Sequence, residues 1–467
     1  MPLILSGNVA TALGGVYEVA NSCMFNDGDN PKMVVTPSSS GTNAGKKYTL
    51  SAWVKLGNIS VDKTIWSCST DTYIYISGAG VITCNFRRDG GTNYEYGSTR
   101  KLKDPSAWYH IVLRVDTTDS TDADKVQVYV NGTEDTPTTT TYQNMADDYE
   151  TGANVSGVEQ RIGVYSDGSL DFDGYMAEVI MVDNQSLAPT EFGEYDEDTP
   201  TVWKPKDISG ISVGTNGYYL DFEDSSNLGN NAAGSGSADL TETNLAATDQ
   251  STDTCTLNYP TFNPLDNTYG QGTFSEGNLK IVTSSSLYAV NTSTFHLTKG
   301  KWHFEVRVGD SNQKNCIGIS GNSGTFSGDS TLAFGDSANE YSYTGTGELR
   351  HSGDSTGSWG SSFTDGDIIG CSFDLDNNEI FFYKNGTIQN SGSAFSITDP
   401  TSTSSGGYFV AGGDFASDNT STMEYNFGSP TYSISSSAAD SNGYGNFEHA
   451  PKSGHYAINS ANLAEFG

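Results

Sequence analysis

A chain of 467 residues is too long for a single hydrophobic core and sets an expectation of two or three domains. Its 53 glycines and 13 prolines, with 26 tyrosines and 21 phenylalanines set among short apolar runs, describe many strands joined by tight turns, so an all-β protein is expected. Twenty-three basic residues against 57 acidic ones give a formal charge of −34; that sign repels phosphate backbones and anionic headgroups and argues against nucleic acid and membrane insertion.

The six cysteines, Cys23, Cys68, Cys84, Cys255, Cys316 and Cys371, form no Cys-x-x-Cys pair. Cys84 and Cys371 fall inside apolar strand patterns, where a thiol acts as a small hydrophobe, so the set reads as reduced and structural. Met1 to Gly7 has no basic segment and too short an apolar run for a signal peptide. No stretch approaches the roughly eighteen apolar residues of a membrane span. Synthesis and folding in the cytoplasm are expected.

In chain order, Cys23 to Asn30 reads as a strand running into an acidic turn. Over Tyr48 to Leu56, Leu50, Ala52, Val54 and Leu56 alternate with Thr49, Ser51, Trp53 and Lys55, the pattern of a strand buried on one face. Strands follow at 64–68, 72–76 and 81–86. Trp108 to Val115 then aligns Tyr109, Ile111, Leu113 and Val115. Val126, Val128 and Val130 lead into Asn131-Gly132, a two-residue signal for a type I′ hairpin. Gly174 to Val182 closes the first half, and 187–192 suits one helical turn. Residues 199–267 shift to Gly, Ser, Ala and Asn, as linkers do, yet Tyr219, Leu220 and Phe222 are too apolar for water and are expected to pack as a strand on a sandwich. In the second half, Trp302, Phe304, Val306 and Val308 align, and 316–319, 341–343, 408–411 and 423–427 read as further strands. The most informative stretch is Gly366 to Gly386: Ile369, Cys371, Phe373 and Leu375 share one face, Asp376-Asn377-Asn378 turns the chain, and Ile380 to Lys384 ends at Asn385-Gly386. The tail from Asn446 to Phe466 has scattered apolar residues suited to docking back.

That stretch resembles the central block of SPRY domains. Phe25-Asn26-Asp27-Gly28, Ala52-Trp53-Val54-Lys55, Trp108-Tyr109-His110, the valine strand with Asn131-Gly132, and Asp173 to Val179 together resemble, in order, the laminin-G-like branch of the concanavalin A-like sandwiches. The resemblances imply two antiparallel β-sandwiches: a concanavalin A-like jelly roll over 1–198 and a SPRY-like sandwich over 268–467, joined by a partly ordered linker, 199–267. The arrangement is similar to virion structural proteins of bacteriophages, notably marine ones. It implies a non-enzymatic tail-fibre, spike or capsid-surface component, assembled in the host cytoplasm, with other virion proteins, copies of itself and a host-surface glycan or receptor as partners. A polysaccharide depolymerase on the first sandwich and a SPRY-type peptide-binding adaptor are the alternatives.

The chemistry of individual residues fits binding better than reaction. Glu194, Asp196 and Asp198 alternate as glycosidase carboxylates do, but lie in a charged connection after the last predicted strand of the first half. His110, His296, His303, His351, His449 and His455 form no metal-binding spacing, and His110 and His303 are expected to face solvent or a hydrogen-bonded edge. The glycine-rich run 321–328 lacks the strand–loop–helix setting of a phosphate loop. The laminin-G-like resemblance implies a calcium ion at a sandwich rim, for which loops carrying Asp27, Asp29, Asp167, Asp171 and Asp173 could supply oxygens; as turn-formers the same residues need no metal. Tyr73, Tyr75, Tyr341, Tyr343 and Trp359 are candidates for a sugar-stacking platform, each with a core role as its alternative, which for Trp359 is the favoured one.

Overall fold

The Asn-Gly pairs at 131–132 and 385–386 organise their neighbourhoods as their chemistry requires. Asn131 and Gly132 have φ of 49° and 72°, and Asn385 and Gly386 have 47° and 74°, the left-handed pair of a type I′ turn. The first joins Val126–Val130 to the short strand Thr133–Glu134; the second joins Glu379–Lys384 to Thr387–Ile388. The computed structural model describes residues 4–5, 17–69, 71–88, 91–266, 272–284, 286, 288–322, 332–416 and 419–467; most of the glycine-rich run 321–328 lies outside these. Nearly all regular structure is β, with one α-helix, Ser460–Phe466, among the described residues. None of their helices is long and apolar enough to cross a membrane.

Two compact units result, Ala12–Thr256 and Leu257–Gly467 together with Met1–Thr11. In the first, one eight-stranded sheet runs in the order Thr133–Glu134, Val126–Val130, Trp108–Asp116, Lys47–Leu56, Gly174–Asp183, Ser22–Phe25, Gln250–Ser251, with Tyr218–Leu220 also paired to Gly174–Asp183. Its partner sheet runs Pro137–Thr140, Glu95–Lys101, Val81–Phe86, Thr72–Ile76, Lys63–Cys68, Gln160–Ile162, Lys32–Val35, Thr241–Thr243. Between them lies a core that includes Leu50, Val54, Trp66, Ile74, Ile82, Leu113, Val128 and Met176. Burial of side chains this large stabilises by about 1.5–3 kcal/mol each.

In the stretch 199–267, expected as a partly ordered linker, the expected strand is present: Tyr218–Leu220 pairs with Gly174–Asp183. Tyr218–Leu220, Thr241–Thr243 and Gln250–Ser251 are strands of the first unit, whose boundary falls at Thr256. Between those strands the glycine-rich backbone is tied by loop hydrogen bonds, Ala232 N–H to Tyr219 O, Ser237 N–H to Gly217 O and Leu240 N–H to Gly229 O. The Lys47–Leu56 strand also departs from expectation, since Ser51, Trp53 and Lys55 are as buried as their apolar alternates. The segments after 192 explain it: Trp203 covers Trp53, Trp108 and Tyr175, and Ile208, Val213 and Tyr219 cover Val112, Ile180 and Val182.

The second unit pairs a nine-stranded sheet, centred on Lys301–Val308 between Thr422–Asn426 and Ile368–Asp374, with a six-stranded one centred on Asn315–Ser320 and Phe409–Asp414. Trp302, Phe304, Ile317, Tyr343, Cys371, Phe382 and Tyr425 fill its core. The C-terminal tail packs on this core through Phe447, Ala457, Ile458 and Leu463. The six cysteines are free, five of them buried.

Candidate functional site

The partner sheet of the first unit leaves one face half-exposed. Pleating sends Ile74, Ile76, Ile82 and Cys84 into the core, so Tyr73, Tyr75, Thr83 and Asn85 point the other way. Register then assembles them: Tyr73 lies opposite Asn85 and Tyr75 opposite Thr83, with Ser67 and Glu95 continuing the row beside Tyr73 and Asn85. The two tyrosine rings stand 5.7 Å apart, and Tyr165 meets Tyr73 edge-on at 4.9 Å. The Asn85 amide donates to the Tyr73 hydroxyl at 3.1 Å and to Asn93 Oδ1. Its own carbonyl oxygen has no partner although the residue is only 4% exposed. At the margin the Tyr165 hydroxyl donates to Asp71, which pairs with Arg87. Burial pushes the Tyr73 phenol up to about 12, so it stays a neutral donor at any ordinary pH. The result is an aromatic strip, its two tyrosine rings tilted 44° to each other, with amide and hydroxyl groups beside it; a ring face there can stack on an apolar ligand face while the hydroxyls hydrogen-bond its rim.

The other aromatic candidates go elsewhere. Tyr341 and Tyr343 are core residues of the second unit, and Trp359 packs partly buried against Tyr343 and Phe382. Tyr341 and Tyr343 are closed to a ligand, because they fall on the inward side of their strand.

The acidic loop residues are only partly brought together. Asp27 and Asp171 line a depression of about 440 Å³ with Val61, Asp62 and Leu170. Asp29 accepts from Asn26 at 2.9 Å, and Asp167 accepts from the backbone and hydroxyl of Ser169, both as turn contacts. Asp173 is 3% exposed, and the buried ammonium of Lys63 lies in the field of Asp173, Asp62 and Asp27. Burial lowers that ammonium to about 8, the carboxylates opposing the fall. Among the described residues no three His, Cys, Asp or Glu side chains are disposed to hold a metal ion. The residues present do not fit a calcium set, because a lysine already supplies positive charge there. Glu194 and Asp196 face Lys204 at 3.6 and 3.4 Å, and Asp196 also accepts the backbone N–H groups of Asp198 and Thr199.

His110 and His303, expected to face solvent or a hydrogen-bonded edge, do not face solvent, at 0% and 2% exposed, and each is hydrogen-bonded to a serine of the neighbouring strand. Trp203 Nε1 donates to His110 Nδ1 at 2.9 Å, so Nε2 carries the proton and donates to Ser51 Oγ at 2.8 Å, while Trp53 stacks on the ring. Burial drives both imidazoles down to about 3, so each stays neutral. Two buried groups carry no sequence signal: Lys55 Nζ meets Asp253 Oδ2 at 2.6 Å, and the Glu178 carboxylate receives the hydroxyls of Tyr17 and Tyr219. Glu178 has φ of 50° at a bulge in its strand, and burial raises its carboxyl to about 7.

Comparison with known families agrees with this architecture. Residues 27–191 match the Laminin_G_3 model, described as the concanavalin A-like lectin/glucanases superfamily, and the chain carries a domain of that class. Residues 301–407 match the SPRY domain model, so the chain joins a concanavalin A-like domain to a SPRY domain. Among solved structures it is similar to the SPRY domain of human HERC1, at 16% identity over 35% of this chain and 96% of that one, with a TM-score of 0.28. It is also similar to a Bacteroides ovatus protein assigned provisionally to carbohydrate binding, at 18% identity over 49% of this chain and 61% of that one, with a TM-score of 0.33. A heptameric pentraxin of Limulus polyphemus matches at 16% identity over 37% and 80%, with a TM-score of 0.28. A search of curated proteins finds no match.

Proposed function

We propose that this chain is a non-enzymatic structural protein of a bacteriophage particle, a fibre, spike or capsid-surface component, that binds host-surface glycans through the Tyr73–Tyr75 face. The observation that carries the binding role is that aromatic pair, half-exposed beside the unpartnered carbonyl of Asn85. Lectins are among the proteins of the family matched at 27–191, which supports a sugar as the ligand. The virion setting is supported by the order of the two domain types, and in it the partners are other particle proteins and copies of this chain, assembled in the host cytoplasm. A formal charge of −34 suits a protein that meets neither nucleic acid nor the membrane interior.

A glycan array probed with the whole protein and with a Tyr73→Ala/Tyr75→Ala double variant tests the binding role. Binding by the parent and its loss in the variant is the expected result; an unchanged array profile removes the tyrosine face from the account. Immunogold labelling of phage particles with an antibody to the chain tests the virion role, and unlabelled particles would end it. Incubating the protein with any array-positive polysaccharide and sizing the product tests the absence of catalysis.

A further inference from the structure

We propose that the second unit carries a separate groove for a neutral, hydroxyl-rich ligand of the sugar type, walled on one side by the C-terminal tail. The groove measures about 400 Å³ and is lined by Arg307, Gly366, Ile368, Asn385, Tyr432, Ser433, Glu448 and His449. That volume lies in the range of small-ligand sites. Tyr432, Ser433, Glu448 and His449 lie beyond residue 407, where the SPRY match ends, and Glu448 and His449 belong to the tail.

Two features make the walls firm. On the sheet side Arg307 lies opposite both Glu424 and Ile368; its guanidinium is held by Glu424 and stacked 4.5 Å over the Tyr432 ring. On the tail side both oxygens of the buried Glu305 accept the consecutive backbone N–H groups of Glu448 and His449, at 2.7 and 2.8 Å. The Asn385-Gly386 turn fits against this edge so closely that a Cβ on Gly386 would stand 2.9 Å from His449 Nδ1.

The hydrogen-bonding groups left over select the ligand. Arg307 spends Nε and Nη2 on Glu424; among the described residues its Nη1, the ring nitrogens of His449 and the hydroxyl of Ser433 have no hydrogen-bond partner. These are donors and two-way groups at close spacing, which vicinal hydroxyls can satisfy from either side. An anion is disfavoured, because Glu424 already neutralises Arg307 and Glu448 adds negative charge in a chain of −34. A cation finds no free carboxylate on this wall, because Glu424 is engaged by Arg307 and Glu448 accepts hydrogen bonds from the Ser435 N–H and the Ser436 hydroxyl. An apolar ligand would strip water from Arg307 without replacing its hydrogen bonds.

The test is ligand-observed NMR on the whole chain in the Tyr73→Ala/Tyr75→Ala background, so that only this groove reports and a failure of the tyrosine face is scored separately. The probes are the methyl glycosides of glucose, galactose and mannose, with methyl glucuronide as the anionic comparison. At least one neutral glycoside is expected to bind, and its affinity to fall about tenfold in His449→Ala and in Arg307→Ala, the loss of one or two hydrogen bonds. His449→Ala removes no internal hydrogen bond, so it keeps the test valid where Arg307→Ala disturbs folding. Absence of binding by all three neutral glycosides, tighter binding of the glucuronide, or binding indifferent to His449→Ala would each overturn the proposal.

Discussion

Each sandwich buries a histidine on the outer side of one of its sheets, and each does so with chain that arrives late. His110 is covered by Trp203 in the first unit and His303 by Phe447 in the second, and each imidazole bonds a serine on the neighbouring strand at 2.8 Å. The units differ in how their charges are handled. In the first, Lys55 and Asp253 are removed from water, at 0% and 3% side-chain exposure; in the second, Lys301 pairs with Asp374 while 37% exposed. The lesson is that an alternating strand pattern fixes which residues share a face but not whether that face stays wet.

Four measurements would break or sharpen the contrast. Lys55→Met should cost the first unit about 3–5 kcal/mol in urea unfolding, since Asp253 would remain buried without its cation, whereas Lys301→Met should cost less than about 1 kcal/mol. Equal losses would void the distinction. Trp203→Ala should cost about 3 kcal/mol and let the His110 imidazole rise from about 3 toward its ordinary range, read by NMR titration.

Glu178→Gln separates a burial cost from a hydrogen-bonding gain. The carboxyl titrates near 7 when folded and near 4.5 when unfolded, so the folded protein takes up its proton first. Its stabilisation is full below about 4.5 and is lost as pH rises through 7; parent stability should fall against the variant by about 2–3 kcal/mol between pH 5 and 8. His110 and His303 act in the opposite sense, losing stability as pH falls from 6.5 toward 3, but they are common to both proteins and cancel in the difference. The smallest effect is expected at Tyr75→Ala, below about 1 kcal/mol for a half-exposed ring, against about 3 kcal/mol or more for Tyr343→Ala in the core. Thermal unfolding distinguishes them.

The hairpins at Asn131-Gly132 and Asn385-Gly386, and the strands leading into them, were legible because turn chemistry and alternation are local. Tyr73 and Tyr75 were legible as candidates for the same reason. What alternation could not reveal was cover. Ser51, Trp53 and Lys55 read as a solvent face until Trp203 and Asp253 are placed on it, and nothing within ten residues of Lys55 announces a partner. The one hint was compositional: a tryptophan on the polar side of a strand, with a second tryptophan in a supposed linker. The tail groove was likewise hidden, because Arg307 and His449 meet only through tertiary contact.

The Lys55–Asp253 pair spans 198 positions of sequence. During translation the growing polypeptide emerges with its amine side already committed to a strand, while the counter-ion is still to be made. Until that last segment leaves the ribosome, an oily sheet surface and an unneutralised ammonium lie open together, a state prone to association with other nascent chains. Chaperone occupancy on stalled products ending before residue 250 should therefore exceed that on products extended past 256 and clear of the exit tunnel.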